Sequence, residues 1–537
     1  MSEFSKCAVC QKSAEQKCGG CFSVFYCSKE HQITDWKTHR KDCFPFKICE
    51  DPHLGRYLKA TKPIKKGEKV LQELPLVWGP LQHTKPVCLG CGKGLNSQTC
   101  RPCEKCGWPV CSERCEKSSN HIPECSFTTA VGKRITIDVF DAPHPSYQCI
   151  TPLRCLYIKQ NMPDIWEKLD RLKSHCEERK KTEKYEQDKY FVANFLRSFF
   201  QLEEVCTDEE ILRFCGIVTV NGHEVPLKKP PFVAVYEKTS MFEHSCKANC
   251  CKTFTAKGEV LITAGVPIEK GDHLTICYTD PLWGTPNRRY HLSESKFFWC
   301  VCPRCSDPTE FGTYLSCLRC KLKECDGILI PETFISENVT TPIIWTCNAC
   351  NMQIDDEEAQ NIVEHVGRDL QAMDKDSTSA SKKFLEYYSN ILPTNHFYLT
   401  DVRLALIEII GMELEEGLSG VSDDDLHLKL QLCKQLSSLV QILAPAENRL
   451  MGTILFEQHA AIAEIGRRRT NFGEEGQGDF YSTLQEAKRI LTEAATLLKN
   501  EPEEIREGKL YKQAKFALDN MEIILANFVR ANKETLI

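Results

Sequence analysis

The sequence predicts an α+β multidomain chain, with a metal-tied, β-rich front joined to an all-helical back. Three observations predict it. Thirty-two of the 33 cysteines lie before residue 351, and Cys433 alone lies behind. Short alternating runs of β-prone residues fill the front. From about residue 355 apolar residues recur at helical spacing instead. Of the 537 residues 42% are hydrophobic and 26% charged, which excludes a disordered or collagen-like chain. Sixty-eight basic residues against 74 acidic ones leave a net charge of -6, so there is no global positive field for a phosphate backbone, and direct nucleic-acid binding is not expected. The start, MSEFSKCAVC, lacks a basic stretch followed by an apolar one, and no run of about 18 apolar residues occurs, so neither secretion nor a membrane partner is expected. The expected compartments are nucleus and cytoplasm, where thiols stay reduced and clustered Cys-x2-Cys pairs serve metals rather than disulfides.

Taken in order, residues 7–43 carry Cys7, Cys10, Cys18, Cys21, Cys27, His31, His39 and Cys43, in the spacing C-x2-C-x7-C-x2-C-x5-C-x3-H-x7-H-x3-C. Eight ligands suffice for two tetrahedral zinc ions, and a segment this short cannot build a core without such ties. A second copy follows at 88–125 with Cys88, Cys91, Cys103, Cys106, Cys111, Cys115, His121 and Cys125; Cys100 is left over, and Trp36 of the first copy has no counterpart. Between the copies, residues 55–79 alternate around a KKGE turn and predict strands. The charged stretch 164–190 reads as a solvated helix face, after which β-like runs return at CGIVTVNGHEV, FVAVYE, EVLITAGV and HLTICY. A β-rich domain is therefore split by the second finger. Residues 317–350 then suggest a zinc ribbon: Cys347 and Cys350 close one side, while Cys317 with Cys320, or Cys320 with Cys325, closes the other.

Three further segments stand in fixed order, MFEHSCKANC at 241–250, GDHLTICYTD at 271–280 and FFWCVCPRC at 297–305. Together they resemble a SET methyltransferase domain, and FYCSKEHQITDWKTHRKDC resembles the second half of a MYND finger. The whole chain is similar to the SET and MYND domain (SMYD) family, specifically to its arthropod-type members. The resemblance implies domain limits of 1–44 for the MYND finger, 46–86 and 127–296 for the SET halves, 87–126 for the inserted finger, 297–352 for the post-SET and ribbon segment, and 353–537 for a TPR-like helical array.

The resemblance also implies ligand sets and roles. Cys7, Cys10, Cys27 and His31 would hold one zinc, with His31 where the family has a cysteine, and Cys18, Cys21, His39 and Cys43 another. In the second finger Cys88, Cys91, Cys111 and Cys115 would hold a third, and Cys103, Cys106, His121 and Cys125 a fourth. Cys246 would join Cys300, Cys302 and Cys305 across the site, so that zinc pins Phe298 over the cofactor. With the ribbon the expectation is about six zinc ions, at four ligands each. Tyr278 would be catalytic, orienting a lysine amine toward S-adenosylmethionine, whose contacts would be Gly55, Asn221, Glu243, His244, Tyr278 and Phe298. Two departures bear on activity. Glu243 replaces the family's asparagine, so a buried carboxylate must find a cation, the cofactor's ammonium or sulfonium being the candidates. Tyr57 stands where a small residue lets the backbone approach.

The back third shows stripes at Val363, Val366 and Leu370, at Leu404, Ile407 and Ile410, and at Leu484, Ala487, Leu491, Ala494 and Leu498. Breaks at NILPTN, GLSGVSDD, LAPAEN and GEEGQGDF separate about six to eight helices, an array that would roof the SET cleft. Two functions compete. One is protein-lysine methylation of histone or other protein lysines. The other is a catalytically weak adaptor and transcriptional co-regulator on chromatin, whose N-terminal finger grips proline-containing peptides. The assembled SET segments favour the first, whereas Glu243 and Tyr57 favour the second.

Overall fold

The computed structural model describes residues 6–18, 24–40, 43–52, 54–335, 343–469 and 474–534. The front finger pairs Gln16–Lys17 with Phe25–Tyr26 and continues into the helix Lys29–His39. Ser28 starts that helix by accepting the His31 backbone N–H at 3.3 Å, the usual remedy for an orphan first-turn donor.

A hairpin follows, Phe46–Asp51 against Gly55–Ala60. Its turn needs Gly55, whose φ of +73° is costly for any residue with a Cβ. Lys69–Glu73 pairs with Val260–Ala264 and that strand with Cys250–Phe254, while Val77–Pro80, Phe232–Val235 and Gly222–Val225 form a second sheet. These strands, nearly two hundred residues apart in sequence, close on one core of Leu58, Leu71, Phe242, Ile262, Leu274 and Ile276. The split predicted from sequence is therefore real.

The second finger is absorbed into a separate core. Trp108 is fully buried and donates its indole N–H to Thr128 at 2.9 Å. Tyr147 reaches across to donate to the Val87 carbonyl at 2.8 Å. Between the finger and Gly222 the chain is mostly helical, and two expectations need correction there. The stretch 164–190 is not one solvated face: it is broken into Pro163–Asp170, Cys176–Arg179 and Glu183–Asp188. Leu169, Leu172, Arg179 and Asp188 are buried, the last two as an ion pair at 2.7 Å. CGIVTVN is not a strand but the second half of the helix Asp208–Asn221. Its β-branched residues are tolerated because Cys215, Ile217 and Val218 pack into the same core as Trp108, so tertiary burial overrides propensity.

Beyond the helix Thr285–Lys296, Leu318–Arg319, Ile328–Pro331, Ile344–Cys347 and Gln353–Asp355 form a four-stranded antiparallel sheet. Seven helices follow among the described residues: Asp356–Ala372, Thr378–Tyr388, Phe397–Ile409, Asp423–Leu443, Asn448–Arg469, Glu474–Leu498 and Arg506–Glu534. The predicted stripes face inward, with Val366, Ile407, Ala487, Leu491, Ala494 and Leu498 at 1% exposure or less. The segment GEEGQGDF lies largely inside a helix, which begins at Glu474.

This array lies against the β unit. A Cβ at Gly265 would come within 2.4 Å of the Ala446 Cβ, and Thr253 donates to Glu501 at 3.0 Å. Among the described residues no helix is long and apolar enough to cross a membrane.

Candidate active site and metal centres

Among the described residues, at least five sets of four ligands bring their binding atoms within 4.8 Å of one another. They are Cys7, Cys10, Cys27 and His31; Cys88, Cys91, Cys111 and Cys115; Cys103, Cys106, His121 and Cys125; Cys246, Cys300, Cys302 and Cys305; and Cys320, Cys325, Cys347 and Cys350. Within them sulfurs stand 3.5 Å apart (Cys246 and Cys305), 3.6 Å (Cys320 and Cys350) and 3.7 Å (Cys91 and Cys111). That is far from a disulfide and close to the ~3.8 Å edge of a tetrahedron built on ~2.3 Å Zn–S bonds, so the sets fit zinc. Hydrogen bonding from Cys88 holds the Cys91 thiol down to about 5, toward the thiolate a metal requires. Of the remaining predicted set, Cys18 and Cys43 lie 3.6 Å apart, His39 is buried, and Cys21 falls outside the described residues.

The ribbon ambiguity is resolved. Cys325 completes that set, and Cys317 does not belong to it: its thiol is buried and points to the Pro308 carbonyl at 3.4 Å. Two second-layer devices were not read from sequence. At His121 the ring lies 3.4 Å from the Cys106 sulfur through Nε2, while Nδ1 meets Glu124 at 3.1 Å, a carboxylate–histidine–metal arrangement. Beside the Cys246 set, Arg288 donates to the Cys246 sulfur at 3.2 Å and to Glu310 at 2.9 Å. Four thiolates around a divalent ion leave two negative charges, and a buried guanidinium offsets one. The run NRRYH just before the cysteines was the available signal.

The site itself is built where two distant segments run parallel, Glu243 opposite Thr275 and His244 opposite Ile276. Asn249 staples them, accepting the Thr275 N–H at 2.9 Å and donating to the His273 carbonyl at 2.8 Å. Tyr278 thus arrives beside His244, whose Nδ1 accepts the Tyr278 backbone N–H at 3.1 Å, with ring centroids 5.2 Å apart. The Tyr278 hydroxyl donates to the Phe242 carbonyl. Burial, reinforced by the Glu243 charge, pushes that hydroxyl well above its ordinary range, so it stays protonated and acts as a donor. His244 also touches the Cys246 sulfur at 3.2 Å, and its ring lies 6.1 Å from that of Phe298. Phe298 keeps 37% of its surface exposed, an aromatic face with room for a flat ligand.

Gly55 and Asn221 meet at Lys173. Asn221 donates to the Lys173 carbonyl at 2.8 Å, and a Cβ on Gly55 would press against the Lys173 ammonium at 3.0 Å. His244, Tyr278 and Phe298 are thus grouped by ring contacts, and Gly55 and Asn221 by Lys173. Glu243 departs from expectation. Its partner comes from the chain: Oε2 lies 2.6 Å from His273 Nδ1, and the His273 ring stacks on Tyr57 at 4.5 Å. Tyr57 therefore spends its ring on His273. His273 carried no signal in the sequence beyond its place in the HLTICY strand.

Near Tyr278 lies a basic cluster that sequence reasoning missed altogether. Lys296, Lys252 and His223 share it, with Lys252 Nζ 3.3 Å from His223 Nδ1. Burial, together with the two lysine charges, drives His223 well below its ordinary value. Glu447 of the helical array faces Lys252 and is raised by burial.

Comparison with known proteins agrees with this geometry. The MYND finger profile matches residues 7–43 and the SET domain profile residues 55–279. The chain is 29% identical over 304 residues to SET domain-containing protein SmydA-8, isoform A, of Drosophila melanogaster, covering 55% of this chain and 63% of that protein. It is 26% identical to histone-lysine N-methyltransferase ASHR1 of Arabidopsis thaliana, covering 52% of this chain and 60% of that one. It is also 26% identical to histone-lysine N-methyltransferase SMYD3 of Mus musculus, covering 47% and 59%. The chain thus spans about three fifths of the length of these curated relatives.

Proposed function

The chain belongs to the SET and MYND domain family, and from that premise we propose that it transfers methyl groups from S-adenosylmethionine to lysine side chains of histone or other proteins. The observation that carries this reading is the cluster of Tyr278, His244 and Phe298, held beside the Cys246 sulfur set.

S-adenosylmethionine supplies a methyl group on a cationic sulfur. The protein's share of such a displacement is to bind, orient and exclude water. Phe298 offers a flat apolar face, Asn221 and the backbone around Gly55 offer polar contacts, and His244 fixes the position of Tyr278. Tyr278 is set to orient an incoming amine: its hydroxyl is protonated and anchored to Phe242, leaving the oxygen lone pairs to accept from the amine. The zinc sets hold these parts in register and take no part in the chemistry.

Calorimetry with the zinc-loaded chain tests the proposal. Wild type and Tyr278→Phe should both bind S-adenosylmethionine, and Tyr278→Phe should methylate protein lysines at least about 100-fold more slowly, the usual range for losing a positioned proton-handling group. Absence of cofactor binding by the wild type would overturn it. A second reading keeps the front finger as a docking module for proline-containing peptides on partner proteins. It is supported by Trp36 and Ile33, which lie 42% and 64% exposed on the helix Lys29–His39. In that reading the chain is a co-regulator, and Trp36→Ala would abolish peptide capture while sparing cofactor binding.

A further inference from the structure

Among the described residues, Lys296 places its amine over the Tyr278 ring. It ends the helix Thr285–Lys296, and the next residue, Phe297, turns the chain with φ +61° while its ring stacks on His175 at 5.4 Å. That turn aims the Lys296 side chain inward. Its Nζ donates to the Val220 carbonyl at 2.7 Å and lies 5.9 Å from the centre of the Tyr278 ring. Val220 immediately precedes Asn221, and Phe298 is two residues past Lys296. The amine therefore lies over Tyr278 and is bonded to the residue that precedes Asn221, on the segment that leads to Phe298. Among the described residues no carboxylate forms an ion pair with it, although most lysines so placed would need one.

We propose that Lys296 is itself a methyl acceptor of this site, so that the chain marks its own lysine at the entrance a substrate lysine must use. This rests on the methyltransferase reading. The Nζ lone pair attacks the methyl carbon of a sulfonium donor; the N–C bond forms as the C–S bond breaks, and that electron pair stays on sulfur as a neutral thioether. The secondary ammonium formed then sheds its proton to solvent. A neutral amine is required, and burial together with the like charge of Lys252 lowers Lys296 to about 8. At that pH about half of it is neutral, against well under about 1% for an ordinary lysine near 10.4. In the unmarked chain the same amine stands in the way of other lysines, and methylation would weaken its donation to Val220 and change its fit there.

The test uses the full zinc-loaded chain with S-adenosylmethionine carrying a labelled methyl group, and reads the mass of the peptide containing Lys296. The expected result is a labelled methyl on Lys296, formed at a rate unchanged by tenfold dilution of the protein and lost in Tyr278→Phe. A readout independent of turnover is chemical acetylation of the chain at pH 8: S-adenosylhomocysteine should protect Lys296 severalfold from the reagent. If the chain binds the cofactor by calorimetry but Lys296 is neither marked nor protected, Lys296 is only a cap on the helix Asp208–Asn221, and this inference fails while the functional reading stands. If calorimetry shows no binding, the functional reading fails and takes the inference with it.

Discussion

Replacing Glu124 by alanine tests whether the second finger and the helical insert are one folding unit. Glu124 is fully buried and serves two masters. Its oxygens accept from Arg154 Nε at 3.1 Å and Nη2 at 2.9 Å, and one of them meets His121 Nδ1 at 3.1 Å. Arg154 is almost wholly buried as well. Removing one partner of such a pair costs about 3–5 kcal/mol, because the other is left charged and dry. Arg154 would keep the Trp78 and Leu89 carbonyls, at 2.9 and 2.8 Å, and its place 4.6 Å over the Trp78 ring. These put the expected loss near the lower bound, about 3 kcal/mol. The same substitution frees His121 to rotate, and losing the group that orients a metal-bound histidine weakens metal affinity by roughly 10–100-fold. The two effects share one network and will not simply add. Release of zinc to a chromophoric chelator, followed beside urea unfolding, should show one equivalent released early and a lower unfolding midpoint, with Glu124→Gln less affected in both. Release and midpoint both unchanged in Glu124→Ala would refute the reasoning, since Arg154 and His121 would then need no partner.

The ribbon assignment predicts that Cys325→Ser lowers bound zinc by one equivalent in metal analysis while Cys317→Ser leaves it unchanged; the reverse would restore the other pairing. Glu310 predicts a pH dependence. Burial would raise its carboxyl, but the Arg288 and Arg304 guanidinium charges outweigh that and hold it below its ordinary 4.5. The stabilisation is therefore full at neutral pH and is lost as pH falls through the ordinary glutamate range and below. Urea midpoints of wild type and Glu310→Gln should differ most near pH 7 and converge on acidification, and a gap that stays constant with pH would count against the pairing.

How much of this was legible follows from what each signal depends on. Metal ligands are legible because zinc fixes residue type and spacing locally: Cys88, Cys91, Cys111 and Cys115 meet as their repeat implies. Tyr278 and Cys246 were placed by motif order, and the strands at Val260–Ala264 and Phe232–Val235 by alternation. CGIVTVN misled because the β-branched residues that favour strands also fill a buried helix when a core surrounds them. Cys317 and Cys325 could not be separated because both lie within a few residues of Cys320, and only the turn to Ile328–Pro331 decides which sulfur faces Cys347. His273 and Lys296 were invisible for a different reason. Their roles come from contacts with residues well outside their own elements, Glu243 for one and Val220 and Tyr278 for the other, and no local pattern encodes such a meeting.

Short strands explain why the metal sets are so numerous. Several sheets here are only two strands of two to six residues, too small to be stable alone. The parallel pair that carries His244 and leads to Tyr278 has just two residues on each side. Three things hold it: the Asn249 staple, the core behind Ile276, and the Cys246 set that ties residue 246 to the loop after Lys296. The candidate active site is thus an outcome of cross-linking as much as of packing. Stripping zinc should loosen Phe298 and the end of the helix Thr285–Lys296 first, since Cys300, Cys302 and Cys305 hold them to the β unit, while the helical array, with no such sets among its described residues, keeps its fold. Cofactor binding would then be lost before helicity, an order that calorimetry and circular dichroism during chelation read directly. Helicity falling first would mean that the array, not the metal, holds the cleft together.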